Sequence, residues 1–377
     1  MSISTPLPLP KYRPNSNTNV KPIFQIKTLQ RQQILDLREN CEGDLCFPDV
    51  SEHDLHNWKL QNPDLLEAKD IRFEYNFLTE RFIIKCMPTA THDSLQAFFM
   101  QNIFGALAEK VGFSQAMGLV NINSGTTFGG FKGDWTGSSE KQPDAYVKLT
   151  GSKFPAVVCE AGWSETLEHL MADARLWLLH TGGITRIVIV VCITETNTRN
   201  TADVHEKISD DVPTMGKTLT EEQALMQGIS AGTDLNDLAE RLTNLNTHAK
   251  LTKPLVSDLK VTIHVYQACE NQADIWERFG ATVIPAPPVE SEAPTEFKIP
   301  FMDIFGDKIP VGVDPTDSII FSLAGFREFV TRSLQDTEWL RATRRARKLL
   351  KAAGEWEETD TFAQHKPRKH SGGSGLK

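Results

Sequence analysis

Long apolar runs are missing from this chain of 377 residues. The longest, IVIVVCI at Ile187–Ile193, is roughly a third of what a bilayer crossing requires. The opening MSISTPLPLPKYRPNSNTN has no apolar stretch of the kind a secretory leader carries. Paired cysteines are missing too. Cys41, Cys46, Cys86, Cys159, Cys192 and Cys269 form no CxxC, and two of them sit inside apolar runs, which excludes a disulfide framework or a zinc centre. The ten histidines show no HExxH spacing, and there is no GxSxG elbow for a serine nucleophile. The glycine-rich run NSGTTFGGFKGDWTGSS lacks the GxxxxGK[ST] spacing of a phosphate cradle. Positive charge is short, the net being −9, which argues against a dedicated high-affinity DNA binder but allows an enzyme with a local basic groove. These features predict a soluble intracellular protein, cytoplasmic or nuclear, with reduced thiols and no membrane partner.

The 40% apolar and 24% charged content suffices for a sizeable core. Residues 1–29 read as a disordered lead, 30–284 as an α/β domain with an insertion at 196–255, and 285–296 as a Pro/Glu linker. Residues 297–353 read as a strand and a basic helix packing on the core, and 354–377 as a disordered tail. IRFEYNFLTERFIIKCMP alternates around a turn near Leu78–Glu80 and predicts a hairpin. HDSLQAFFMQNIFGALAEKVG predicts a helix capped by Thr91, with Leu95, Phe98, Phe99, Ile103, Leu107 and Val111 on one face. The glycine-rich run then reads as a strand and a turn.

From Pro143 to Val191 the pattern sharpens. Asp144–Leu149 and Ala156–Glu160 read as strands joined by a Gly–Ser turn, followed by a helix from Ser164 to Gly182–Gly183. ITRIVIVVCIT is uniformly apolar, as a strand buried on both faces must be, and the order implies a parallel crossover. LKVTIHVYQA and FKIPFMDIFG predict further strands, and SIIFSLAGFREFVTRSLQDTEWLRATRRARKLLKAA a long helix.

Asp144 and Glu160 are the strongest candidates for chemistry. Each sits at the end of an apolar strand pattern, where a carboxylate is costly unless it meets water or a metal. On paired strands the two would share a Mg²⁺, with the backbone carbonyl of Ala161 as a third hard oxygen. Pro143–Asp144, a hairpin, Glu160 closing an apolar strand, a helix and a buried strand together resemble the PD-(D/E)XK nuclease superfamily. The MPTATH stretch (Met87–His92) and its helix resemble its restriction-endonuclease branch of unassigned target. The likeness covers residues 70–195 and the strand near Lys260–Ala268.

The resemblance implies a restriction-endonuclease-like core of a mixed central sheet flanked by helices. It also implies Mg²⁺ (or Mn²⁺) as cofactor, DNA or RNA as partner, and phosphodiester hydrolysis at Asp144 and Glu160. The motif's lysine falls on Gly162. In some branches the cation moves to the following helix, which here offers Arg175 and, after it, His169. Arginine offsets phosphoryl charge but carries protons poorly, so a catalytically inactive nuclease fold, serving as a binding or scaffold module, is the alternative. An unrelated α/β interaction protein, with the acidic pair coincidental, is the third reading, and strands at Asp144 and Glu160 that are not neighbours would support it.

Other residues are read more plainly or in more than one way. His92 is a helix cap, a core histidine or a site residue, and Glu109 is a solvated carboxylate or an extra ligand. Trp163 and Trp177 read as core packing. The run Arg341, Arg344, Arg345, Arg347, Lys348, Lys351 reads equally as a phosphate-tracking or import patch and as a solvated helix end.

Overall fold

The computed structural model describes residues 45–66, 71–77, 80–86, 90–133, 139–163, 167–196, 221–230, 232–271, 273–288 and 292–356, with the single positions 26, 29, 33 and 34. Most of the expected lead and tail, the Ser164 cap and most of the linker's acidic stretch fall outside these residues. Among the described residues no helix is long and apolar enough to cross a membrane.

The strands in chain order are β1 (Leu45–Phe47), β2 (Ile71–Asn76), β3 (Arg81–Cys86), β4 (Val120–Asn123), β5 (Phe128–Gly129), β6 (Glu140–Lys141), β7 (Ala145–Leu149), β8 (Val157–Trp163), β9 (Ile187–Thr196), β10 (Asp258–Ala268), β11 (Ile275–Ile284), β12 (Glu296–Pro300) and β13 (Ser318–Ser322). The central sheet runs β11-β10-β9-β8-β7-β4. Pairing is antiparallel throughout except between β8 and β9, which are parallel. A crossover helix, Leu167–His180, joins that parallel pair, as the sequence order requires. The fold is thus mixed α/β, a central mixed sheet flanked by helices.

The two faces of this sheet follow the period-2 alternation of its strands. Val157, Cys159 and Ala161 join Ile187, Ile189 and Val191 beneath the helix Ala90–Val111, which contributes Leu95, Phe99, Ile103 and Leu107. Val158, Val188 and Val190 face the other way, onto Leu170, Ala174, Trp177 and Leu178 of the crossover helix. Each fully buried aliphatic contributes roughly 1.5–3 kcal/mol relative to exposure, so both layers are strongly driven. Register is pinned by β8, because a one-residue slip would turn Glu160 into the Phe99 side of the core. The crossover helix ends at Gly182 (φ 70°) and Gly183 (φ 76°), a left-handed pair that side chains resist.

A second sheet, β1-β3-β2-β6-β5, is built on the expected hairpin of β2 and β3. β6 joins it through the pairing of Tyr75 with Glu140. The described residues of the inserted segment include the helices Glu221–Gln227 and Leu235–Thr247, which pack with Ala342, Ala346 and Leu350 of the final helix.

Three expectations are corrected. Thr91 does not cap the first core helix, which starts at Ala90. It is buried inside it, its hydroxyl donating to the Ser333 carbonyl and lying 2.7 Å from the Thr337 hydroxyl. SIIFS is not helical. It alternates buried and exposed positions as β13, pairs with β12, and gives way at Ser322, whose hydroxyl accepts from Gly325 N–H and caps Leu323–Ala352. In FKIPFMDIFG only the first four residues are strand, since Phe301–Phe305 turns helical. The edge strand β11 was not legible, because WERFGATV alternates weakly and carries charge on its exposed face.

Candidate functional site

β7 and β8 are neighbours in register, Ala145 opposite Cys159, so Asp144 and Glu160 stand on adjoining strands. The arrangement that would have supported the third reading of the sequence, strands that are not neighbours, is not the one found. Asp144 Oδ2 accepts the backbone N–H of Ala161 at 2.7 Å. That contact ties the carboxylate to the residue directly after Glu160. Ala161 itself belongs to the buried layer under the first core helix.

Glu160 is only 2% exposed. Its Oε1 accepts from the indole N–H of Trp177 at 2.6 Å, across the face shared with the crossover helix. Burial pushes its carboxyl well above the ordinary carboxylate range. The positive charge of Lys141 opposes that shift, and Asp144, Asp173 and Glu74 reinforce it. Burial raises the neighbouring Cys159 thiol in the same way, which makes it an inert thiol as the sequence suggested.

Lys141, 3% exposed, was missed by the sequence reading. Its ammonium lies 3.0 Å from Glu74 Oε1 and 2.7 Å from Asp173 Oδ2. Glu74 comes from β2, Lys141 from β6 and Asp173 from the crossover helix. The second sheet therefore meets the crossover helix through buried charge. The signal was faint: EKQPD puts Lys141 three residues before Asp144, in a stretch too short and polar to read as a strand. Just outside, Lys59 and Glu140 form a second pair at 2.7 Å.

The other candidates are distributed elsewhere. Arg175 donates to Asp274 Oδ1 from Nε (3.3 Å) and Nη2 (3.1 Å), at the start of β11. His169 is half-buried in the first turn of the crossover helix. Glu109 is exposed. His92 lies in the first turn of the helix Ala90–Val111. Gly162 is buried and shares the strand face of Glu160, so that face carries no side chain where the motif has its lysine.

Trp177 is fully buried core, as read, and also the donor to Glu160. Trp163 is more than packing. Its indole N–H donates to Glu195 Oε1 at 2.6 Å, and the Arg341 guanidinium lies 5.0 Å above its ring. Half of the basic run is turned inward. Arg341 donates to the Leu255 carbonyl and pairs with Glu195, Arg345 donates to the Lys253 carbonyl, and Arg347 covers Trp356.

Among the described residues no group of three or more His, Cys, Asp or Glu side chains is placed to hold a metal ion. The donors at Asp144 and Glu160 are two carboxylates with the Ala161 strand carbonyl beside them, an all-oxygen set of the type hard divalent cations take. Compared with known proteins, the chain matches no family model and no curated relative.

Proposed function

We propose that this chain is a metal-dependent nuclease-like protein that hydrolyses phosphodiester bonds of DNA or RNA, on a restriction-endonuclease-like core. The observation that carries the reading is the pair Asp144 and Glu160 on adjoining strands, at the point where β7 and β8 meet the crossover helix. Between Ala90 and Thr196 the central sheet takes β4, β7 and β8 as antiparallel neighbours and β9 parallel to β8, with β5 and β6 of the second sheet inserted between β4 and β7. The stretch from β7 through β8 and the crossover helix to β9 follows the order read from the sequence motif.

Asp144, Glu160 and the Ala161 carbonyl would hold Mg²⁺ or Mn²⁺. Bound there, such an ion lowers the pKa of a water and offsets charge on the phosphodiester. The chain's own contribution is orientation: Ala161 N–H fixes Asp144, and Trp177 fixes Glu160. Glu160 must give up its proton to ligate, and the Lys141 charge favours that loss.

A catalytically inactive binding or scaffold module is the second reading. The glycine at 162 and the depth at which Glu160 is buried favour it.

The test is Mn²⁺ or Mg²⁺ binding to the full chain, with plasmid nicking followed in the same samples, for wild type, Asp144→Asn and Glu160→Gln. Metal binding and nicking, both lost in each variant, support the hydrolase. Metal binding without cleavage supports the inactive module. No metal binding to wild type removes both metal-based readings and leaves the carboxylates structural.

A further inference from the structure

We infer that the sheet β1-β3-β2-β6-β5 is part of the site and supplies its cation: Lys141, a positioning residue held by Glu74 and Asp173, which offsets the carboxylates around Glu160. This inference rests on the reading of Asp144 and Glu160 as metal ligands.

Burying an ammonium is costly unless it is paired, and Lys141 is paired on two sides by elements distant in sequence, β2 and the crossover helix. Stability alone does not account for such a cluster, because buried ion pairs are often replaced by apolar residues at no loss. Charge balance does. Glu74, Asp144, Glu160 and Asp173 set four carboxylates against one ammonium, and an anionic phosphodiester entering such a site is repelled. Each nearby positive charge therefore counts. The motif position offers Gly162, and Arg175 is committed to Asp274. The charge of Lys141 favours the ionised form of Glu160. The lysine reaches the site from β6, opposite in chain order to the helix where the sequence pointed. That placement gives the second sheet a role beyond packing.

The charge acts in opposite directions on two ligands. A cation beside a metal site weakens binding of a divalent ion and favours approach of a phosphate. At a pH high enough to ionise Glu160 in both proteins, so that losing the Lys141 charge no longer keeps that ligand protonated, Lys141→Gln should therefore bind Mn²⁺ more tightly, by about threefold or more, while plasmid nicking falls by about tenfold or more. Lys141→Arg should return both toward wild type. A lysine that only holds the fold would move both readouts down together. Because a lone Lys141 substitution removes an ion-pair partner from two carboxylates, the triple variant Glu74→Gln, Lys141→Met, Asp173→Asn guards against misfolding, and it should lose nicking while still unfolding cooperatively.

The inference is overturned if Lys141→Gln leaves both readouts unchanged or lowers metal affinity along with nicking. If wild type binds Mn²⁺ without nicking, the affinity arm alone decides: tighter binding in Lys141→Gln supports the inference, and unchanged or weaker binding overturns it. If wild type binds no Mn²⁺, the proposed function falls and this inference with it.

Discussion

The indole of Trp177 donates to Glu160 Oε1 at 2.6 Å, joining the last turn of the crossover helix to the middle of β8 inside the apolar layer. A carboxyl there has a pH signature. Its folded-state pKa is raised by burial above the ordinary 4.5, so the folded protein holds this proton after the unfolded chain has released it. Stability therefore falls as pH rises from about 4.5 through the folded pKa, and levels off above it. Glu160→Gln keeps the acceptor for Trp177 and removes the titration. In metal-free buffer the variant should be more stable than wild type at pH 8, with the difference shrinking toward pH 4.5, as urea unfolding across pH would show. Trp177→Phe should destabilise by about 2–4 kcal/mol, from the lost hydrogen bond and the smaller ring.

Asp144 carries a structural duty that complicates the usual alanine test. Its Oδ2 satisfies the N–H of Ala161, which lies in the core. Asp144→Ala leaves that donor unpaired and should cost about 1–3 kcal/mol. Asp144→Asn retains an oxygen acceptor and should cost less, while still removing the charge a divalent ion requires. Chemical denaturation of both variants checks the ordering. An equal loss of stability in the two would show that charge, not the hydrogen bond, holds this corner.

Arg175 belongs to the β11 end of the sheet. Its partner Asp274 is over a third exposed, so the pair is worth only about 0.5–1 kcal/mol. Arg175→Ala should lower stability by that amount and leave nicking within about twofold of wild type. A loss comparable to that in Asp144→Asn would restore Arg175 as the site cation.

The contrast between Arg175 and Lys141 shows what the sequence could carry. Periodicity exposed the buried strand β9, the amphipathic helix Ala90–Val111 and the hairpin β2–β3, because each buries a contiguous apolar pattern. Adjacency of Asp144 and Glu160 followed from a short hairpin, which leaves two strands little choice of partner. The Lys141 cluster depends on β6, two residues long, meeting β2 across 67 positions of chain. No local pattern encodes such a contact. β13 was hidden for another reason: SIIFS runs directly into a helix, and its alternation is too brief to separate from a helical stripe.

The final helix is fixed to the core at Glu195, and this fixes the meaning of the basic run. Burial pushes the Glu195 carboxyl up, but hydrogen bonds from Arg341, Ser257 N–H and Trp163 more than reverse this, leaving it below its ordinary 4.5. A depressed carboxylate contributes stability that is present above the unfolded pKa and lost as pH falls through the folded one. Wild type should therefore lose stability below about pH 4.5 partly through this contact. Arg341→Met keeps much of the stem's packing over Trp163 but removes the charge, and should flatten that acid limb while costing about 1–3 kcal/mol at neutral pH. Lys348→Gln, on the exposed side of the same helix, should leave the acid limb intact. Thermal unfolding of the three proteins between pH 3.5 and pH 7 separates the cases. If Arg341→Met retains the wild-type acid limb, the guanidinium is not what holds Glu195 ionised, and the basic run regains its reading as a free cationic surface.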